Sequence, residues 1–143
     1  CGCGTVAIEW MRAATNARAI GIDSRLDRCE LSSINALNLG VPDLKVVHGK
    51  APESLHELAQ PDAIFIGGGF TKETFEICFL ELKLLGRLVV NAVTLESEVL
   101  LLDLYKVHGG ELAKISINRV ESIGSSAVWK PFKPITQWSL QKK

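Results

Sequence analysis

The apolar run Ala63-Ile64-Phe65-Ile66 stops on Gly67-Gly68-Gly69, and this junction constrains the chain more than any other feature. Four apolar residues bounded by turn signals read as a buried strand, and the glycines after it give a tight turn with bare backbone. The same punctuation recurs along the chain. Gly2-Cys3-Gly4 leads into a predicted helix from Thr5 to Ala17, where Val6, Trp10, Ala13 and Ala17 fall at helical spacing. Ala19 to Asp23 reads as a short strand ending on an acid. Ser24 with Asp27 three residues on suits a helix start, and Gly40 with Pro42 its stop. A strand follows over Leu44 to Val47, and Pro52 fits the first turn of a short helix.

Beyond the glycine run, Thr71 is placed to cap a helix with Phe75, Cys78, Phe79 and Leu82 on one face, ended by Gly86. Leu88 to Val93 is a further buried strand, and Glu96 to His108 a helix. Val99-Leu100-Leu101-Leu102 makes that helix apolar around more than one face, which predicts a cover beyond its own sheet, such as another subunit. Leu112 to Val120 and Ile135 to Leu140 are both strand-like with only a loop between them. Two successive strands without an intervening helix pair antiparallel or belong to different edges. The predicted fold is α/β: a mostly parallel, doubly wound sheet finished by a C-terminal antiparallel hairpin.

At 143 residues, 47% hydrophobic and 22% charged, the chain has the size and composition of a single domain with a core. Sixteen basic and sixteen acidic residues cancel, which excludes a duplex-coating nucleic-acid binder and a polybasic membrane anchor. No stretch reaches the roughly 18 unbroken apolar residues of a membrane span. Cys1-Gly2-Cys3-Gly4 has neither the charged start nor the apolar run of a secretory signal, and the only methionine is Met11, so Cys1 is not expected to be a translation start. Four cysteines in ordinary contexts suggest thiols in a reducing cytoplasm rather than a disulfide framework.

Small residues at a strand-to-helix turn let backbone approach a ligand and leave helix N-terminal amides free for an anionic group, which makes Gly2, Cys3 and Gly4 candidates for cofactor binding. Asp23, at the end of the next strand, is placed to accept hydrogen bonds from two ribose hydroxyls. Glycine turn and distal acid together indicate an adenosine-containing cofactor. Nicotinamide dinucleotides and S-adenosylmethionine compete for it. A dinucleotide site wants a third glycine, and Ala7 stands at that position, which the pattern sometimes permits. An antiparallel last strand favours the methyltransferase class by fold analogy.

Other constellations are weaker. Cys1-x-Cys3 offers two thiolates, but His48, His56 and His108 fall on different elements, so no metal is expected. No nucleophile elbow is present. Glu96 and Glu98, two apart near a helix start, do not face the same way. Trp129, Pro131, Phe132 and Trp138 suit either an apolar ligand wall or packing between the last two strands. Arg119, Lys130 and Lys133 read as solvated charge, of interest only to a substrate with many carboxylates.

Taken in order, Gly2-Cys3-Gly4-Thr5-Val6-Ala7-Ile8-Glu9-Trp10, Asp23, Gly49-Lys50-Ala51-Pro52, Ile66-Gly67-Gly68-Gly69 and Asn91-Ala92-Val93-Thr94-Leu95-Glu96 resemble the decarboxylating precorrin methyltransferases of cobalamin biosynthesis. This is the CbiT type, found alone or as the C-terminal half of the bifunctional CobL type. The resemblance extends over essentially the whole chain, with Trp129-x-Pro131 and Pro134 to Trp138 resembling the family's last hairpin. It implies a Rossmann-like class I methyltransferase that moves a methyl group from S-adenosylmethionine to C15 of a reduced tetrapyrrole, with loss of CO2 from the ring C acetate.

By matching position, the resemblance implies that Gly2, Cys3 and Gly4 hold the methionine part of the cofactor, Asp23 its ribose, Lys50 and Ala51 its adenine, and Gly67 the sulfonium. Gly68, Gly69 and the segment Thr94 to Glu96 would border the tetrapyrrole. It also implies a homo-oligomer, in all expectation a tetramer, and a C5-methyltransferase partner, fused or separate. A hydrophobic strand precedes the glycine loop in the family and lies centrally in its sheet. The chain opens inside that loop, so the expected sheet is one strand short, with its neighbours facing each other across roughly 10 Å. Such a chain is not expected to fold stably unless something replaces the strand. Beside this reading stand a class I methyltransferase acting on another small molecule, a protein or RNA, a nicotinamide-binding oxidoreductase fragment, and a non-catalytic module of the same fold.

Overall fold

A computed structural model of the chain describes residues 1–55 and 58–143, so His56 lies outside the described residues. It divides into two compact units, Cys1–Ala59 and Gln60–Lys143, each described by itself.

The first unit runs α1 (Thr5–Ala13), β1 (Ile20–Asp23), α2 (Leu26–Asn38), β2 (Lys45–His48) and a short 3-10 turn at Glu53–Leu55. β1 and β2 are parallel, with Ile20 opposite Lys45 and Asp23 opposite His48. Ile8, Ala36, Val41 and Leu44 form the buried core, with Ala7, Met11, Ala19 and Val46 against it. Two helix ends differ from expectation. α1 stops at Ala13 because Ala14 is extended, which leaves Ala17 outside the helix. α2 starts after Arg25 with no side-chain cap, and Ser24 does not cap it; the Asp23 carboxylate takes the Arg25 N–H instead, at 3.0 Å. The far end of α2 closes as expected on Gly40. Its φ of +78 lets Gly40 N–H donate to Leu37 O at 3.3 Å and Val41 N–H to Ala36 O at 2.9 Å, satisfying two terminal carbonyls.

The second unit contains β3 (Ala63–Ile66), α3 (Lys72–Glu81), β4 (Arg87–Ala92), α4 (Leu95–His108), β5 (Glu111–Ile115), β6 (Asn118–Ile123), β7 (Ser126–Pro131) and β8 (Ile135–Gln141). Its main sheet has the order β3-β4-β8-β5. β3 and β4 are parallel, and β8 runs antiparallel to both β4 and β5. One face of this sheet carries Ile66, Leu88, Val90, Ala92, Trp138 and Leu140, all buried. α3 and α4 supply Phe75, Cys78 and Leu101 to the same core, where Phe75 stacks on Trp138 at 5.5 Å. Thr71 caps α3 as expected, accepting from Thr74 N–H. α3 ends at Glu81, before Gly86. On α4, Leu101 is fully buried while Val99 and Val107 are exposed, so its apolar residues do occupy more than one face.

The C-terminal hairpin is richer than the sequence reading allowed. The expected strand from Leu112 to Val120 breaks at Ser116–Ile117, because β5 pairs with β8 whereas β6 turns away to pair with β7. Trp129 and Pro131 therefore belong to a separate two-stranded arm, while Trp138 sits between β4 and β5 in the main sheet. These residues do not form one wall. Trp138 is fully buried core and Trp129 is 71% exposed.

Candidate functional site

In the first unit, the glycine turn and the end of β1 are tied by main-chain donors. Asp23 Oδ2 accepts Gly2 N–H at 2.8 Å and lies 2.8 Å from the Cys1 nitrogen. Oδ1 accepts Arg25 N–H. The side chain is buried, which disfavours its charged form. Hydrogen bonds from the Cys1 nitrogen, Gly2 N–H and Arg25 N–H outweigh that burial and hold the carboxyl below its usual range. A carboxylate has about four acceptor positions; the three donors leave one for a ligand hydroxyl.

Gly4 stands before α1 with a left-handed φ of +84 and no side-chain cap. A Cβ there would lie 3.1 Å from Ser32 Cβ and 3.2 Å from Ile8 Cδ1, so only glycine fits. A Cβ on Gly2 would meet open space. Gly4 N–H donates to Cys1 O, and the first intrahelical bond is Ile8 N–H to Gly4 O. That leaves Val6 and Ala7 N–H as the free first-turn donors of α1. Exposed Cys3 lies 2.8 Å from Thr5 Oγ1; the Thr5 hydroxyl, then the Thr5 N–H, lower its thiol pKa.

Two α2 residues that sequence reasoning missed fix this turn from behind. Ser32 Oγ lies 3.0 Å from Gly2 O, and Asn35 Nδ2 donates to Cys3 O at 3.0 Å. Their signal was a polar pair three apart beside the core residue Ala36, at a spacing that places both on one helix face. Gly49 N–H donates to Asp23 O at 3.0 Å, so Lys50 and Ala51 follow directly from the residue bonded to β1. Gly2, Cys3, Gly4, Asp23, Lys50 and Ala51 thus gather at the C-terminal ends of β1 and β2.

In the second unit, Gly67, Gly68 and Gly69 follow β3 and Thr94 and Glu96 follow β4. The two strands are parallel neighbours with Ile66 opposite Val90, so these residues share one sheet end. A Cβ on Gly67 would press on the Phe65 ring at 2.9 Å, whereas Gly68 and Gly69 border open space. Buried Phe70 anchors the loop. The Thr94 hydroxyl caps α4, accepting Ser97 N–H at 3.3 Å. Glu96 is exposed, while Glu98 accepts from Lys114 Nζ at 2.7 Å. Lys114, then Thr136, lower the pKa of Glu98. Arg119 lies over the Phe132 ring and Lys130 pairs with Glu121. Among the described residues, no three His, Cys, Asp or Glu side chains converge to hold a metal.

The sequence pattern of the precorrin methyltransferase domain matches residues 1–142. A Sinorhizobium protein named precorrin-6Y C(5,15)-methyltransferase (decarboxylating) is 46% identical over 142 residues, which make up 99% of this chain and 34% of that protein. The crystal structure of the C-terminal domain of precorrin-6Y C5,15-methyltransferase from Rhodobacter capsulatus is 41% identical, with a TM-score of 0.90 over 99% of this chain and 76% of that one. A SAM-dependent O-methyltransferase from Thermotoga maritima shares the fold alone, with 13% identity and a TM-score of 0.68 over 90% of this chain and 51% of its own. The chain spans roughly a third of the length of the curated C(5,15)-methyltransferase relatives, 34% and 36%.

Proposed function

The chain belongs to the precorrin methyltransferase domain family, and from that premise we propose that it methylates C15 of a precorrin or cobalt-precorrin and removes the ring C acetate carboxyl as CO2. The observation that carries this reading is the family match over residues 1–142, joined to a glycine turn bonded directly to Asp23. S-adenosylmethionine, when bound, supplies an electrophilic sulfonium methyl.

The chain's own groups fit that cofactor. Val6 and Ala7 N–H, beside the open Gly2, suit the methionine carboxylate. The remaining acceptor position of Asp23 suits a ribose hydroxyl, with Lys50 and Ala51 bordering the adenine. Gly67 would face the sulfonium, and Gly68, Gly69, Thr94 and Glu96 would border the tetrapyrrole. With the Thr94 hydroxyl accepting Ser97 N–H and donating to Ser97 Oγ at 3.2 Å, its contribution to the substrate would be its position rather than a free donor. No catalytic base is assigned. A reduced tetrapyrrole carbon conjugated to a ring nitrogen is itself nucleophilic, and alignment alone can lower a bimolecular barrier by about 7–11 kcal/mol.

Residues 1–143 are read as one cofactor-binding domain. Exposed Val99 and Val107 on α4 support a homo-oligomer, with a tetramer as the expected state. The relatives' length and C(5,15) names support a C5-methyltransferase partner. Four unpaired thiols suit a reducing cytoplasm. The test is to supply the complete protein with S-adenosylmethionine and a precorrin-6B substrate, with or without cobalt. The C15 step is expected to release one CO2 with one S-adenosylhomocysteine, a fused C5-methyltransferase adding a second S-adenosylhomocysteine, and turnover to neither product would remove the proposal.

A further inference from the structure

Asn91 and Gln137 face each other across the β4–β8 ladder, and Gln137 Nε2 donates to Asn91 Oδ1 at 3.0 Å. Both side chains are half-buried. Because side chains alternate along a strand, they lie on the sheet face opposite buried Val90, Ala92 and Trp138. Among the described residues no buried side-chain polar atom lacks a partner, so the amide atoms that this pair leaves unbonded are open to solvent or to a ligand. The bond leaves Asn91 with an NH2 and Gln137 with a C=O that have no partner among the described residues. Exchanging the amide orientations swaps these roles and still leaves one donor and one acceptor. Asn91 stands two residues before Val93, at the same sheet end as the glycine loop after β3.

Resting on the function proposed above, we infer that Asn91 holds the substrate carboxylate that leaves as CO2 and that Gln137 positions Asn91. In that step the C–CO2 bond breaks, its electron pair enters the conjugated macrocycle, and CO2 departs. A proton from solvent then adds to the side-chain carbon, leaving a methyl group and balancing the proton that C15 loses on methylation. Negative charge leaves the carboxylate as the bond breaks. A Lys or Arg partner would therefore stabilise the starting state more than the transition state and slow the step. A neutral amide orients the carboxylate without that penalty. Lys114 is kept off this face: it stands opposite Thr136, and its Nζ donates to Glu98 at 2.7 Å and Thr136 at 2.8 Å.

The experiment measures S-adenosylhomocysteine and CO2 separately in the complete protein with a precorrin-6B substrate. Asn91→Ala is expected to lower CO2 release relative to S-adenosylhomocysteine by roughly tenfold, accumulating a methylated product that keeps its acetate. Asn91→Asp is expected to lower it further, with recovery at acid pH where the new carboxyl is neutral. Gln137→Met keeps the side-chain shape, is expected to shift the ratio less in the same direction, and carries the test if the Asn91 variants do not fold. A parallel fall in both products, or no change in either, overturns the inference and leaves the proposed function standing. A wild-type protein that forms neither product removes both.

Discussion

The Gly2 N–H points at Asp23 Oδ2 from 2.8 Å, so the first glycine of the turn and the acid at the end of β1 are one hydrogen-bonded assembly. Asp23 therefore has two tasks, shaping the turn and presenting its remaining acceptor position to a ligand.

Removing the carboxylate should affect both. Asp23→Ala is expected to weaken S-adenosylhomocysteine binding at least about tenfold and to destabilise the first unit by about 2 kcal/mol, the scale of a hydrogen bond to a charged group. Titration calorimetry and thermal melting read the two effects, and unchanged affinity would remove Asp23 from the cofactor site.

The same contact sets a pH dependence. Asp23 titrates below its usual value of 3.8 in the fold, so the unfolded chain takes up the proton first as pH falls. The stabilisation is complete above about pH 4 and is lost as pH drops from there toward the folded value. Melting temperatures recorded from pH 6 to pH 2 should fall more steeply for the wild type than for Asp23→Asn. Parallel curves would show that the carboxylate is not held in its charged form.

Gly4 can be tested without touching any polar group. Gly4→Ala forces a side chain into a left-handed conformation and against Ser32 and Ile8. A loss of about 1–2 kcal/mol is expected from the backbone alone, with weaker cofactor binding because the start of α1 must shift. Equal denaturation midpoints for variant and wild type would contradict this geometry.

Helix capping gives a paired comparison. Thr71 accepts Thr74 N–H, so Thr71→Ala should cost about 1 kcal/mol. Ser24 makes no such bond at the start of α2, and Ser24→Ala should stay within about 0.5 kcal/mol. Chemical denaturation of the two variants checks both values.

Much of this was legible in the residues. The strand Ala63–Ile66 and its glycine stop lie where the pattern placed them, because four apolar residues between turn signals have few other uses. Thr71 and Gly40 were equally readable, since capping is local chemistry. The β6–β7 arm was not: every residue of β6 is exposed, so no alternation of apolar and polar side chains marks it. Ser24 misled because a better acceptor, Asp23, stood next to it.

Sequence alone determined the order of elements as far as α4, the glycine turns and the family, since these follow from local conformational preference and from motifs read in series. Tertiary structure decided which donors reach Asp23, that Ser32 and Asn35 brace the turn, that β8 inserts between β4 and β5, and that Asn91 meets Gln137. Each of these joins residues far apart in the chain, and only the register of strands and the packing of α2 bring their atoms within hydrogen-bonding distance.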